Sequence, residues 1–253
     1  CVTLISPSLP FGHPYPSRNA SFNGTRHSVN WSHFTWSSEY HGQLGRDAST
    51  SSTMKSTNVT RIEHLVSQSE RWARQGHTGG VLWFTGLPAS GKSTLVYGLE
   101  ARLFKAGFET YAFDSTRLRQ GLNKDLGYSR EDRRENIRRA SELAAVMARA
   151  GLVVITGFIS PYAEDRAEAR VTCGAHFHEI YLDASPAACE ARDSRRRYAA
   201  ARDGQIKGFT GIDAPYDIPE SPDFTLPTAA MPIADCLDQL TAFAISKFRP
   251  DGP

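Results

Sequence analysis

The sequence predicts an α/β protein in three layers, with helices on both faces of a mainly parallel sheet. Three observations carry that reading. Short apolar runs such as Val81-Leu82-Trp83-Phe84, Leu152-Val153-Val154-Ile155 and Phe177 to Leu182 alternate with stretches of helical period. Strands separated by helices need crossover connections, and crossovers leave neighbouring strands parallel. The first run opens into a glycine-bounded loop, residues 86–93, followed at once by the helical spacing of Leu95, Leu99 and Leu103. Residues 194–222 hold Gly204, Gly208, Gly211, Pro215, Pro219 and Pro222 with no apolar period, which predicts one long Gly/Pro-rich loop. Loops of that length in compact domains serve as lids or binding loops.

The elements follow in order. Residues 1–53 are rich in Ser, Asn, Gly, Pro and His, with Glu39 and Asp47 the only acids before Thr53. That composition predicts a disordered leader or a non-native extension. Its Ser-rich, acid-poor character resembles an organellar transit segment, which would give a plastid location in place of a cytoplasmic one. Residues 54–79 are expected to be a helical segment, with a helix from Asn58 to Arg74 presenting Ile62, Leu65 and Val66 on one face. The domain proper spans 80–250. Its strands are expected at 81–85, 109–113 (delivering Asp114 at the C-terminal end), 152–155, 177–182 and 224–226. Its helices are expected from the loop to Ala106, over 131–150, 163–171 and 185–193, and from Ile233 to Phe248. Gly107 and Gly151 stand where two of these helices should stop. Ligands of such a sheet bind at the strands' carboxyl ends, so the 86–93 loop, Asp114 and the 156–160 turn should share one edge.

Composition narrows the functions available. A net charge of +2 over 253 residues argues against a nucleic-acid or anionic-membrane partner. No apolar run is long enough to cross a membrane. Cys1, Cys173, Cys189 and Cys236 are scattered without metal-ligand spacing, which reads as reduced, packed cysteine.

The chemistry lies in Gly86-Leu87-Pro88-Ala89-Ser90-Gly91-Lys92-Ser93, which fits the pattern G-x-x-x-x-G-K-[ST] between strand and helix. Backbone N–H groups of such a P-loop and the dipole of the following helix, from Thr94 onward, face an anion. Lys92 is expected against the β- and γ-phosphates of ATP and the Ser93 hydroxyl in the shell of a Mg²⁺ ion. The fold is therefore expected to be of the P-loop NTPase type. A GTPase would carry D-x-x-G and N-K-x-D; Asn123-Lys124-Asp125 has its acid one place early. A motor ATPase would end a later strand in an acid, where Val153-Val154-Ile155 runs into Thr156-Gly157. A kinase for a small anionic acceptor fits better. Arginines 119, 133, 138 and 139 are candidates to clamp an acceptor's phosphate or sulfate, or else to coat a solvated helix face.

With those residues in view, the stretch from Gly80 to Phe248 resembles the adenylyl-sulfate kinases. The likeness rests on Gly86–Ser93, Arg119-Gln120-Gly121-Leu122-Asn123, Asp132-Arg133 with Glu135 to Arg139, Phe158-Ile159-Ser160-Pro161, and Ile206-Lys207-Gly208-Phe209-Thr210-Gly211-Ile212-Asp213, in the family's order. The resemblance implies phosphorylation of the ribose 3′-hydroxyl of adenylyl sulfate from Mg-ATP. It implies that Arg119, Arg133 and Asn136 hold the acceptor and that Ile159 and Ser160 line its site. Lys207 and Phe209 would close over the acceptor, the phenyl ring on adenine, and Arg192 would lie near the ATP base. Lys92, Asp114 and Ser160 are the residues expected to carry the chemistry, Ser160 chiefly as an acceptor-site residue. It also implies a cytoplasmic homodimer.

Several positions depart from the family. Asp114-Ser115-Thr116-Arg117 stands where the family has Asp-Gly-Asp, so Thr116 replaces the aspartate thought to serve the acceptor hydroxyl. If Asp114 and Thr116 share a side of an extended backbone, Asp114 can partly substitute; otherwise a relative that binds without turnover is the alternative. Asp193-Ser194-Arg195-Arg196-Arg197-Tyr198 replaces Asp-Pro-Lys-Gly-Leu-Tyr, and Arg134 replaces an acid.

Overall fold

The computed structural model describes residues 64–249; the expected leader and residues 58–63 of the expected Asn58–Arg74 helix lie outside them. In chain order the elements are α1 Gln68–Gln75, β1 Gly80–Thr85, α2 Lys92–Lys105, β2 Thr110–Asp114, α3 Ser115–Arg119, α4 Arg130–Arg149, β3 Val153–Gly157, α5 Ala163–Cys173, β4 Phe177–Leu182, α6 Pro186–Arg192, α7 Arg197–Arg202, β5 Phe224–Leu226 and α8 Ile233–Phe248. The strands pair all parallel in the order β2-β3-β1-β4-β5. β1 is the switch point, with β3 on one side and β4 on the other, so its carboxyl end opens a crevice.

Alternation along β1 sorts the two cores. Leu82 and Phe84 pack with Leu95, Val96, Leu99 and Leu103 of α2 and with Leu240, Ala244 and Phe248 of α8. Val81 and Trp83 point the other way, onto Ile137, Ala140, Ala144 and Ala148 of α4 and Ala169 of α5. Successive strand residues face opposite sides of a sheet, and both sides here are covered, which is why β1 reads as a continuous apolar run. Arg130 pairs with Glu164 and Asp165, and Arg134 with Glu168, tying α4 to α5 along their solvent side.

Three expectations need correction. α1 begins at Gln68, where Ser67 and Glu70 form a capping box. Leu65 and Val66 precede it and are exposed, so the strong local cap outweighs the apolar spacing. The run Ser115–Arg119 turns into a short helix on the Asp114 side chain, which accepts the Arg117 N–H. The long loop also contains α7: Asp193 accepts the Tyr198 N–H, and Tyr198 and Ala201 are buried.

Candidate active site

The P-loop leaves β1 at Thr85 and closes onto α2 at Gly91. Gly86 has φ 153°, and a Cβ there would stand 2.9 Å from Ser90 Oγ and 3.0 Å from the Leu182 carbonyl, so only glycine fits. Gly91 caps α2 at φ 99°, a torsion open to glycine at little cost. Ala89 takes φ 60°, a strained torsion of the kind held at ligand-binding loops. Four of the loop's carbonyls are hydrogen-bonded by side chains. Lys92 Nζ donates to the Gly86 carbonyl at 2.8 Å and to that of Leu87 at 2.7 Å. The Tyr198 hydroxyl donates to the Pro88 carbonyl at 2.9 Å, and Thr228 Oγ1 to that of Ser90 at 3.0 Å. With those carbonyls committed elsewhere, the loop is left to present N–H groups and the open first turn of α2 to an anion.

Lys92 is half-buried, and loss of water around its ammonium pulls its pKa from 10.5 to about 7. Ser93 Oγ donates to Asp114 Oδ2 at 3.2 Å. A hydroxyl and a carboxylate side by side at the helix N-terminus suit a hard cation that takes its remaining ligands from water and phosphate. Among the described residues no group of three His, Cys, Asp or Glu is placed to hold a metal by itself.

These groups line a cavity of about 860 Å³. Pro88 to Leu95, Asp114, Thr116, Gly157, Ile159 and Arg192 border it, so the P-loop, Asp114 and the 156–160 turn do share one edge. Arg192 reaches the Thr228 carbonyl at 2.9 Å from the cavity's far wall. Arg117, Arg195 and Arg197 add positive charge to the lining; Arg197 is neutralised by the buried Asp193.

Of the remaining predicted residues, Arg133 is bonded to the 206–213 loop. Arg133 donates through Nη2 to the Gly208 carbonyl at 2.6 Å, through Nη1 to Thr210 Oγ1 at 3.0 Å, and through Nε to the Tyr128 carbonyl at 2.9 Å. Arg119 lies over the Tyr128 ring at 4.4 Å and donates to the Leu126 and Gly127 carbonyls. Asn136 is buried and accepts from Asn123 Nδ2 at 3.1 Å. The Arg119 Nε–H and Asn123 Oδ1 are buried without a partner, two orphaned polar atoms in a region expected to take a polar ligand. Lys207 is exposed, whereas Phe209 is buried against Tyr198, ring centroids 4.9 Å apart. Ser160 is buried at φ 37°, and its Oγ accepts from Trp83 Nε1 at 3.2 Å. Asp213 accepts the N–H groups of Gly208 and Phe209, which folds the loop on itself and holds its carboxyl below the usual range.

A family model of adenylylsulphate kinase matches residues 78–227. The chain belongs to this family. An adenylyl-sulfate kinase of Clostridium acetobutylicum is 47% identical over 189 residues, covering 75% of this chain and 94% of its own. One from Staphylococcus carnosus is 45% identical over 191 residues, covering 75% and 96%. The structure of the Mycobacterium tuberculosis APS kinase in complex with AMPPNP and APS superposes with a TM-score of 0.63 at 42% identity, covering 66% of this chain and 98% of that one.

Within the adenylylsulphate kinase fold, two expectations about side chains fail. Arg138 and Arg139 do not face the cavity. Arg138 pairs with Glu135, and Arg139 bridges Glu135 and Asp125, a network that pulls the Glu135 carboxyl down to about 2. The solvated-face alternative holds for both. Asp114 and Thr116 are not related by an extended backbone either, because Thr116 sits in the first turn of α3 and Asp114 is that helix's N-cap. Sequence reasoning reaches Arg117, Arg195 and Tyr198 only within segments that depart from the family and passes over Thr228; Tyr198 and Thr228 act on P-loop carbonyls more than a hundred residues away. Asp213 stands in the sequence only as the end of the 206–213 block; its bonds to the Gly208 and Phe209 amides are what the structure adds.

Proposed function

We propose that this chain transfers the γ-phosphoryl group of ATP to the 3′-hydroxyl of adenylyl sulfate, giving 3′-phosphoadenylyl sulfate and ADP. The observation that carries the reading is the junction of two sites. A complete P-loop opens into the same cavity as Ile159, and Arg133 is bonded to the loop that Asp213 closes.

In this reading the P-loop amides and Lys92 bind the β- and γ-phosphates, and Arg192 lies at the base end. Ser93 and Asp114 hold Mg²⁺, which offsets charge on the transferring group. Arg119, Arg133 and Asn136 bind the acceptor, with Ile159 forming the wall between the two substrates. Ser160 fixes that wall from behind. Lys207 and Phe209 reach the acceptor by movement of the loop, since Phe209 now packs on Tyr198. Positioning and charge stabilisation supply most of the acceleration in phosphoryl transfer, so chemistry survives without Asp at position 116.

The test is product formation from Mg-ATP and adenylyl sulfate, followed by chromatography, with Lys92→Ala as the blank. Product above the blank is expected. Thr116 favours a second reading, a relative that binds both ligands without turnover. Absence of product with both ligands bound in calorimetry would select it. We further propose a homodimer, to be checked by light scattering of the full chain.

A further inference from the structure

Arg166 is 4% exposed and belongs to neither substrate site. It projects from α5 into the space between β4, the 158–161 turn and the end of the long loop, and each of its three guanidinium nitrogens donates a hydrogen bond. Nε donates to Glu179 Oε1 at 2.7 Å, Nη1 to the Ser160 carbonyl at 2.8 Å and Nη2 to the Asp217 carbonyl at 2.8 Å. A second link runs parallel to it. Thr85 Oγ1 donates to the Ile159 carbonyl at 2.8 Å and lies 2.9 Å from the Tyr216 hydroxyl. A threonine has one proton to give, so Tyr216 is the donor in that contact. Asp217 closes the junction, its N–H donating to the Pro161 carbonyl at 2.7 Å and its Oδ2 accepting the Ala163 N–H at 2.9 Å.

The carbonyls of Ile159 and Ser160 are thus each joined, through one intermediary, to residues 216 and 217 at the foot of the loop that carries Lys207, Phe209 and Asp213. We propose that Arg166 is a positioning residue that couples this loop to the 158–161 turn, so that closure of the loop and the shape of the acceptor wall change together. The proposal rests on the reading of that turn as the acceptor side. Arginine is suited to the place because its rigid planar fork serves three acceptors in different directions at once. A lysine would keep the charge beside Glu179 and lose at least one carbonyl. Ser160 at φ 37° needs such a hold, since its torsion is unfavourable unless its surroundings enforce it.

The experiment compares the full-length protein with Arg166→Lys and with the double variant Arg166→Met/Glu179→Met. The double variant removes both buried charges together and so leaves neither unpaired. Two readouts are taken: KM for adenylyl sulfate against KM for ATP, and amide hydrogen exchange over residues 203–217. Loss of charge-assisted hydrogen bonds predicts an acceptor KM raised about tenfold or more in both variants, with the ATP KM within about twofold. Exchange over 203–217 should quicken about tenfold while the sheet amides stay protected. Equal changes in the two KM values, or none, with unchanged exchange, would overturn the coupling. If Arg166→Lys does not fold, the double variant carries the same expectations. If the wild type makes no product from adenylyl sulfate, the functional reading fails, and exchange over 203–217 alone decides whether Arg166 holds the loop.

Discussion

At the scale of single residues, Thr116 and Lys92 make the sharpest claims. Thr116 borders the cavity two residues along the chain from Asp114, and its hydroxyl cannot hold a proton taken from the acceptor at neutral pH. Asp114 is already engaged by Ser93 and by its capping bond to the Arg117 N–H, so it is held near the metal region and away from the role of base. Thr116→Asp should therefore raise kcat, by about tenfold to a hundredfold, with the ATP KM within about twofold. An unchanged kcat in steady-state product formation would show that proton removal does not limit the rate. Lys92 gives a pH signature. Burial lowers its pKa from 10.5 to about 7, so between those values the free protein carries it mostly neutral. A bound polyphosphate restores the charge and draws the pKa back up. At pH 8 nucleotide binding should take up close to one proton, and at pH 6 almost none. Calorimetry in two buffers of different ionisation enthalpy reads that number directly, and Lys92→Met should abolish the uptake.

At the scale of elements, the segment after α6 shows how a local sequence change is absorbed. Arg196 takes φ 53° at the start of α7, a torsion that costs an L-residue roughly 1–2 kcal/mol. The turn persists because the buried Asp193 binds both Arg197 Nε and the Tyr198 N–H, and Tyr198 in turn reaches the Pro88 carbonyl. Arg196→Gly should relieve the torsion, partly offset by the greater freedom of glycine in the unfolded chain. A net gain of about 0.5–1 kcal/mol is expected in urea unfolding, with the m-value unchanged. A loss of stability would mean that the Arg196 side chain makes a contribution larger than its backbone strain. The ion pairs between α4 and α5 explain Arg134 in the same terms: the arginine that replaces the family's acid faces Glu168 across the helix pair. The exposed Arg134–Glu168 pair is worth little, and Ile137, Ala140, Ala144 and Ala148 supply the apolar packing of α4 under β1.

At the scale of the molecule, the parts legible in the sequence are those set by periodicity and local chemistry. The strand at 81–85, the P-loop, the terminal helix and the buried strands at 152–155 and 177–182 announce themselves through apolar runs, helical spacing and the glycine pattern of the loop, and the five strands fall within two residues of where expected. What stayed hidden was decided by distant partners. α7 forms because Tyr198 is buried among Leu87, Cys189 and Phe209, and no window of sequence around Tyr198 shows that. The same distance dependence governs the site. Two of the P-loop's carbonyls are held by Tyr198 and Thr228, residues 110 and 138 positions away along the chain. The nucleotide loop is thus shaped by the completed fold before any ligand arrives, and binding need not be spent on ordering it. ATP alone, at about a hundred times its Kd, should then stabilise the protein by about 2.7 kcal/mol, or a Tm rise of about 5–10 °C for a chain of this size. Lys92→Ala should remove the rise. Tyr198→Phe deletes only the hydroxyl that holds the Pro88 carbonyl, and it should weaken ATP binding about tenfold while leaving Lys92 in place. At a fixed ATP concentration its Tm rise should shrink by about half. A full rise in Tyr198→Phe would mean that the loop holds its shape by its own glycines, without help from the lid segment.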